Sequence, residues 1–153
     1  MQDQKQESAT LALVRKILFA VLAVGLAGTL TELLLLEHTD GVWQMVPVCL
    51  LGGGLVSLGA HAINGDSRSL VRALQVAMVL LLASGVAGVI LHYKGNVEFE
   101  LERQAGLAGV TLFREAMMGA TPALAPGAMI QLGLIGLAYT VRHPGLRVGG
   151  RAG

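Results

Sequence analysis

The chain has 153 residues, of which 54% are hydrophobic and 14% charged, and its mean hydropathy is +0.65. Soluble domains carry about 25% charged residues, so this composition excludes an ordinary globular surface and places the chain in the membrane class. A net charge of +1 with scattered Lys and Arg residues argues against a nucleic-acid partner, and a single cysteine, Cys49, excludes an internal disulfide.

Residues 1–10 are polar, with Asp3, Lys5 and Glu7, and predict a short flexible or interfacial tail. Arg15 and Lys16 then precede an apolar run over 17–36, broken only by Thr29, Thr31 and Glu32. About 20 apolar residues suffice for a helix to cross a bilayer. A basic start, an apolar core and Gly25-Leu26-Ala27 as a cleavage site also fit a signal peptide. The run continues through Leu33 to Leu36, however, which favours a retained anchor.

Glu37-His38-Thr39-Asp40-Gly41 predicts a tight polar turn, followed by a second span over 42–63. Trp43 suits the membrane interface, Pro47 falls in the first turns, and Gly52-Gly53-Gly54 offers close helix approach. Cys49 in this run predicts a buried, inert thiol, and His61 marks the inner end. Asn64-Gly65-Asp66-Ser67 is a turn signal, after which Arg68 and Arg72 lead into a third span over 70–91. His92 and Tyr93 predict an interface there, and Lys94-Gly95-Asn96 a helix stop. A fourth span over 122–141 takes Pro122 or Pro126 into its first turn and ends at Tyr139, Arg142 and His143. Pro144-Gly145 then opens a loose Gly-rich tail with Arg147 and Arg151.

The fold expected is therefore all-α, a polytopic four-helix membrane bundle forming one domain over 1–153 with a single partly structured extracytoplasmic loop, 92–121. Eight of the eleven Lys and Arg residues fall in the segments that would lie on one side, leaving Lys94, Arg103 and Arg114 on the other. The excess of positive charge marks the cytoplasmic side, which places both termini in the cytoplasm and the loop outside.

Glu32 is a carboxylate inside an apolar span, about one turn from its outer end, where charge is costly. Gly25, Gly28 and Glu32 share a helical stripe, so Glu32 is expected to face the bundle, either binding a proton or cation or pairing with Lys94, Arg114 or a histidine. Ser84, Gly88 and His92 make a similar stripe on the third span. His38 lies at the same outer level, and together with Glu98 and its neighbours these residues define a possible outer cluster of Glu32, His38, His92 and Glu98. Such groups suit a transition metal or a pH-sensitive contact, but they lack a metal-site spacing, and a solvated polar rim is the simpler account. No metal, cofactor or catalytic residue is assigned.

The loop holds four of the ten acidic residues from His92 to Pro126. Val97, Phe99 and Leu101 alternate with Glu98, Glu100 and Glu102, which fits a strand or a helical extension. Leu107 to Met118 fits a short amphipathic helix in the outer interface, and Gly119, Ala123 and Gly127 continue as a small-residue series. Gln75 and Gln131 are candidates for hydrogen bonds between helices. There is no serine nucleophile motif, phosphate loop, CxxC or HExxH.

Leu91-His-Tyr-Lys-Gly-Asn-Val-Glu-Phe-Glu, Phe113-Arg-Glu-Ala, and Thr121-Pro-Ala-Leu-Ala-Pro-Gly with Gly136-Leu-Ala-Tyr-Thr resemble segments of small four-span bacterial integral membrane proteins of uncharacterised activity. The resemblance implies a location integral to the bacterial cytoplasmic (inner) membrane and carries no functional residue. The expected role is a non-catalytic accessory or assembly component acting through the outer loop. Its partners would be the lipid bilayer and a membrane protein or further copies of the chain. A small transporter or proton/cation pathway using Glu32, and a membrane-embedded enzyme with an outer His/carboxylate site, are the alternatives.

Overall fold

The computed structural model describes residues 2–65 and 67–146, with side chains from Ala9 onward. Asp3, Lys5 and Glu7 as side chains, Asp66, Arg147 and Arg151 lie outside the described residues, and with them part of the tail and turn expectations. Five helices follow one another: α1 (Gln2–Leu35), α2 (Val42–Asn64), α3 (Arg68–Arg103), α4 (Gly109–Met117) and α5 (Gly127–Thr140), the last followed by a 3-10 turn at Pro144–Leu146.

The long helices are amphipathic only weakly, because apolar residues surround them. Each still contributes one tightly packed stripe: Leu22 and Leu26 of α1, Leu51 and Leu58 of α2, Leu74, Met78 and Leu81 of α3, and Met129, Leu132 and Tyr139 of α5 form one core. Steps of three, four and seven residues put these on single helix faces. α1 packs on α2 and α5, and α3 packs on α2 and α5, so the four helices close a ring, while α4 packs on α3. On the opposite faces Val24, Val56 and Ile63 remain 73%, 73% and 84% exposed. A helix apolar all round suits a hydrocarbon environment rather than water.

Glycines set how closely the ring closes. A Cβ on Gly85 of α3 would lie 2.9 Å from both the Ile130 nitrogen and the Pro126 carbonyl oxygen, and one on Gly133 of α5 would lie 2.7 Å from the Met78 carbonyl oxygen. The α3 and α5 backbones therefore nearly touch, as small residues permit in membrane helices. Of Gly52-Gly53-Gly54, only Gly54 meets a neighbouring helix, through Met78, Leu26 and Leu81.

Several boundaries differ from expectation. Helix α1 begins at Gln2, so the polar start is helical. Helix α3 does not stop at Lys94-Gly95-Asn96 but continues to Arg103. A glycine costs an isolated helix about 1 kcal/mol, and here burial of Asn96 and Glu100 at i and i+4 accompanies the continuation. Residues 97–102 are accordingly helix rather than strand. The fourth apolar element is shorter than foreseen: Pro122–Pro126 forms turns, with Ala125 N–H bonded to the Pro122 carbonyl at 3.1 Å, and α5 starts only at Gly127. A proline disfavours the helical conformation in the residue before it, which accounts for the late start. α1, α2 and α3 are long and apolar enough to cross a membrane, whereas α5 is a 14-residue apolar helix, about 21 Å long. Cys49, expected to be buried, is exposed on α2.

Candidate functional site

At the end of the bundle where α1 meets α2, the foreseen polar residues have separate surroundings. Glu32 is exposed on α1 rather than turned into the ring, and forms no ion pair among the described residues. Gly25 of its stripe does pack, against Leu132 of α5, while nothing lies within 4 Å of a Cβ on Gly28. The α1 core face runs through Leu22 and Leu26, and Glu32 falls beside it. His38 is half-buried in the polar turn and Glu98 is exposed on α3. His92 donates its Nδ1–H to the Pro122 carbonyl at 3.0 Å, tying α3 to the turn before α5. Among the described residues no three His, Cys, Asp or Glu side chains converge on a point where a metal ion would sit.

The most strongly constrained residue at this end is Asn96. It is 2% exposed. Its Nδ2 donates to the Ala116 carbonyl at 2.8 Å and the Thr121 carbonyl at 2.6 Å, while its Oδ1 accepts from the Thr121 N–H at 3.2 Å. One side chain thus caps the end of α4 and fixes the chain beyond it. Gly119 lies so close that a Cβ there would come within 2.7 Å of the Asn96 amide carbon. Tyr93 and Phe113 add a tilted ring contact at 6.0 Å. Buried Glu100 pairs with Arg103 at 2.7 Å. The upper part of α3 and α4 consequently form a helical hairpin. It leaves Phe99, Val110, Phe113 and Met118 exposed, together with Glu98 and Glu102.

The opposite end gathers a second polar group that sequence spacing did not assemble. His61 from the end of α2 is buried, and its Nε2 lies 2.7 Å from the Tyr139 hydroxyl of α5. The His143 ring stands 5.0 Å from that of His61 and 5.5 Å from Tyr139, and its Nδ1 accepts from the Gly145 N–H at 3.2 Å. Below them Gln75 of α3 donates to the Thr140 hydroxyl at 3.2 Å, which realises the interhelical bond expected of Gln75. Gln131, by contrast, is exposed. His61 Nδ1 is buried with no hydrogen-bond partner among the described residues, an arrangement that usually costs free energy. The positions of His61 and of Tyr139 and His143 at the ends of their apolar runs put them at one level, but their meeting was not legible because the partners lie 78 and 82 residues after His61 in the chain.

On α1 beside this group, Arg15 reaches across to the end of α5, where its Nη2 donates to the carbonyls of Val141 at 3.3 Å and Arg142 at 2.8 Å. The negative end of the α5 dipole favours a cation there.

Three long apolar helices and an outward surface rich in Val, Leu and Ile make this a helical membrane protein. No family model matches the chain, and no solved structure matches it. Over 96 residues, 60% of its length, it is 34% identical to NADH-quinone oxidoreductase subunit N 1 of Sorangium cellulosum. The matched stretch spans 18% of that protein, so the likeness covers less than a fifth of the relative.

Proposed function

We propose that the chain is a non-catalytic accessory component of the bacterial cytoplasmic membrane that assembles with another integral membrane protein through its outer hairpin. The observation that carries this reading is the hairpin itself. Asn96 fixes it with three hydrogen bonds, yet it presents Phe99, Phe113 and Met118 unburied beside exposed Glu98 and Glu102. An ordered surface that combines aromatic anchors with charge has the composition of a recognition patch. Its acidic rim suits a partner with a basic extracytoplasmic face.

Three further points support the reading. The excess of Lys and Arg toward the Arg15 end supports cytoplasmic termini and an outward hairpin. Likeness to a stretch of a protein named as a subunit of an oxidoreductase fits a membrane component of an assembly. Glu32, the carboxylate on which a transport role would depend, lies on the outside of the ring, where a partner or headgroups reach it more readily than a path between helices. Membership among small four-span membrane proteins, with α5 as the fourth crossing, belongs to the same proposal.

The test is a pull-down in mild detergent comparing the intact protein with a Glu98→Ala/Glu102→Ala/Phe113→Ala variant. Glu100 is left alone because it is buried and paired. We expect a specific membrane protein to be retained by the intact chain and lost at least about ten-fold with the variant, as for a patch whose anchors are worth more than about 1.4 kcal/mol. The same retention by both proteins would refute the role of the hairpin.

A further inference from the structure

At the Arg15 end, a cleft of about 290 Å³ opens between α1 and α5, lined by Arg15, Lys16, Phe19 and Tyr139. We propose that this cleft binds the phosphate of an anionic phospholipid headgroup. It rests on the membrane location of the chain and not on the outer hairpin.

The cations are arranged for an anion. Arg15 is half-buried and held by the Val141 and Arg142 carbonyls through Nη2 alone. A guanidinium has five N–H donors, so Nε and Nη1 remain for a ligand while the side chain is fixed in place. Arg142 has a φ of 49°, a left-handed conformation uncommon for a residue with a Cβ, and this turn presents its carbonyl to Arg15. Lys16 is exposed and has no acidic partner among the described residues. Among the described residues no carboxylate lines the cleft, so none of them neutralises the two charges. A phosphate would accept charge-assisted hydrogen bonds from both.

The source of the phosphate follows from the floor and the level of the cleft. Phe19 and Tyr139 stand 5.9 Å apart as a tilted ring pair and present an apolar wall below the cations. The long uninterrupted apolar run of α1 begins at Ile17, directly after Lys16, within the apolar helix Ala9–Leu35. Arg15 and Lys16 therefore stand in the first turns of that helix, where long cationic side chains can reach up to phosphate level while the rings lie at acyl-chain depth. A free phosphate would gain nothing from the aromatic wall, whereas the glycerol and upper acyl carbons of a lipid would cover it. Basic pockets between membrane helices on the cytoplasmic side are suited to such headgroups.

The test uses the full-length protein purified in a neutral detergent. Thermal stability is followed on adding phosphatidylglycerol, phosphatidylcholine or inorganic phosphate, and bound lipid is counted by native mass spectrometry. We expect phosphatidylglycerol alone to raise the melting temperature and remain bound. Lys16→Gln, which removes no ion pair or hydrogen bond among the described residues, should lower its occupancy about five-fold, the factor expected for one cation at a headgroup, while leaving the lipid-free melting temperature unchanged. Arg15→Gln should lower both. Equal stabilisation by inorganic phosphate would overturn the lipid assignment. Unchanged occupancy with Lys16→Gln, or equal retention of phosphatidylcholine, would overturn the site.

Discussion

Asn96 shows how much one polar side chain decides in a chain this apolar. Its amide supplies two donors and one acceptor, and all three are used on backbone groups at the end of α4 and just beyond it. A carboxylate of the same shape accepts but does not donate. Asn96→Asp would keep the bond from the Thr121 N–H and set charge against the Ala116 and Thr121 carbonyls. We expect Asn96→Asp and Asn96→Ala each to destabilise the hairpin by about 2–3 kcal/mol, from buried groups left unpartnered. The measure is hydrogen exchange over 109–121, which should quicken about 30-fold or more while the core around Leu74 and Leu81 stays protected. Uniform exchange in variant and parent would show that Asn96 holds nothing. In the sequence, Lys94-Gly95-Asn96 resembled a stop because local propensity is visible there and the burial that overrides it is not.

At the scale of elements, α3 and α5 depend on Gly85 and Gly133 for their near contact. The neighbours of a Cβ at Gly85 include backbone atoms of Ile130 and Pro126, which cannot swing aside as a side-chain end does. Gly85→Val should therefore separate the two helices and cost about 1–3 kcal/mol, the usual range for overpacking. Gly52→Ala, where a Cβ meets nothing within 4 Å, should be neutral or slightly stabilising through higher helix propensity. Thermal unfolding in detergent checks the pair, and equal melting temperatures for both would remove the close contact from the account. The long apolar helices were legible from apolar length, which is why α1, α2 and α3 cover the first three runs. The end of α3 and the start of α5 were less so, because one depended on tertiary burial and the other on which of two prolines closed the turn. The strand and helix alternatives for 97–102 were likewise undecidable from alternation, since Asn96 and Glu100 make a helical face only once α4 is beside it.

For the whole molecule, the apolar outer surface makes a prediction through its only cysteine. Cys49 is exposed on α2, inside a helix apolar enough to span a membrane. In intact membranes we expect both an apolar and a charged, impermeant maleimide to label it poorly, because the attacking thiolate does not form against hydrocarbon, whereas in denaturant both should react. Ready labelling by the charged reagent in membranes would contradict a lipid-facing α2. The candidate sites were least legible at this scale. Glu32, His38, His92 and Glu98 could be placed at one level from span order, but their surroundings depend on rotation of each helix about its axis. A chain apolar on every face fixes that rotation weakly in sequence, and the same ambiguity hid His61 beside Tyr139 and His143.

Helix α3 has 36 residues, a reach of about 54 Å, against a hydrocarbon core of roughly 30 Å. It runs without a break from Arg68, beside the histidine end, to Arg103 in the hairpin. A stiff rod has no hinge in which to absorb a displacement at its tip. A partner docked at Phe99 and Glu102, as proposed above, would therefore grip a lever whose other end carries Gln75 and its bond to Thr140.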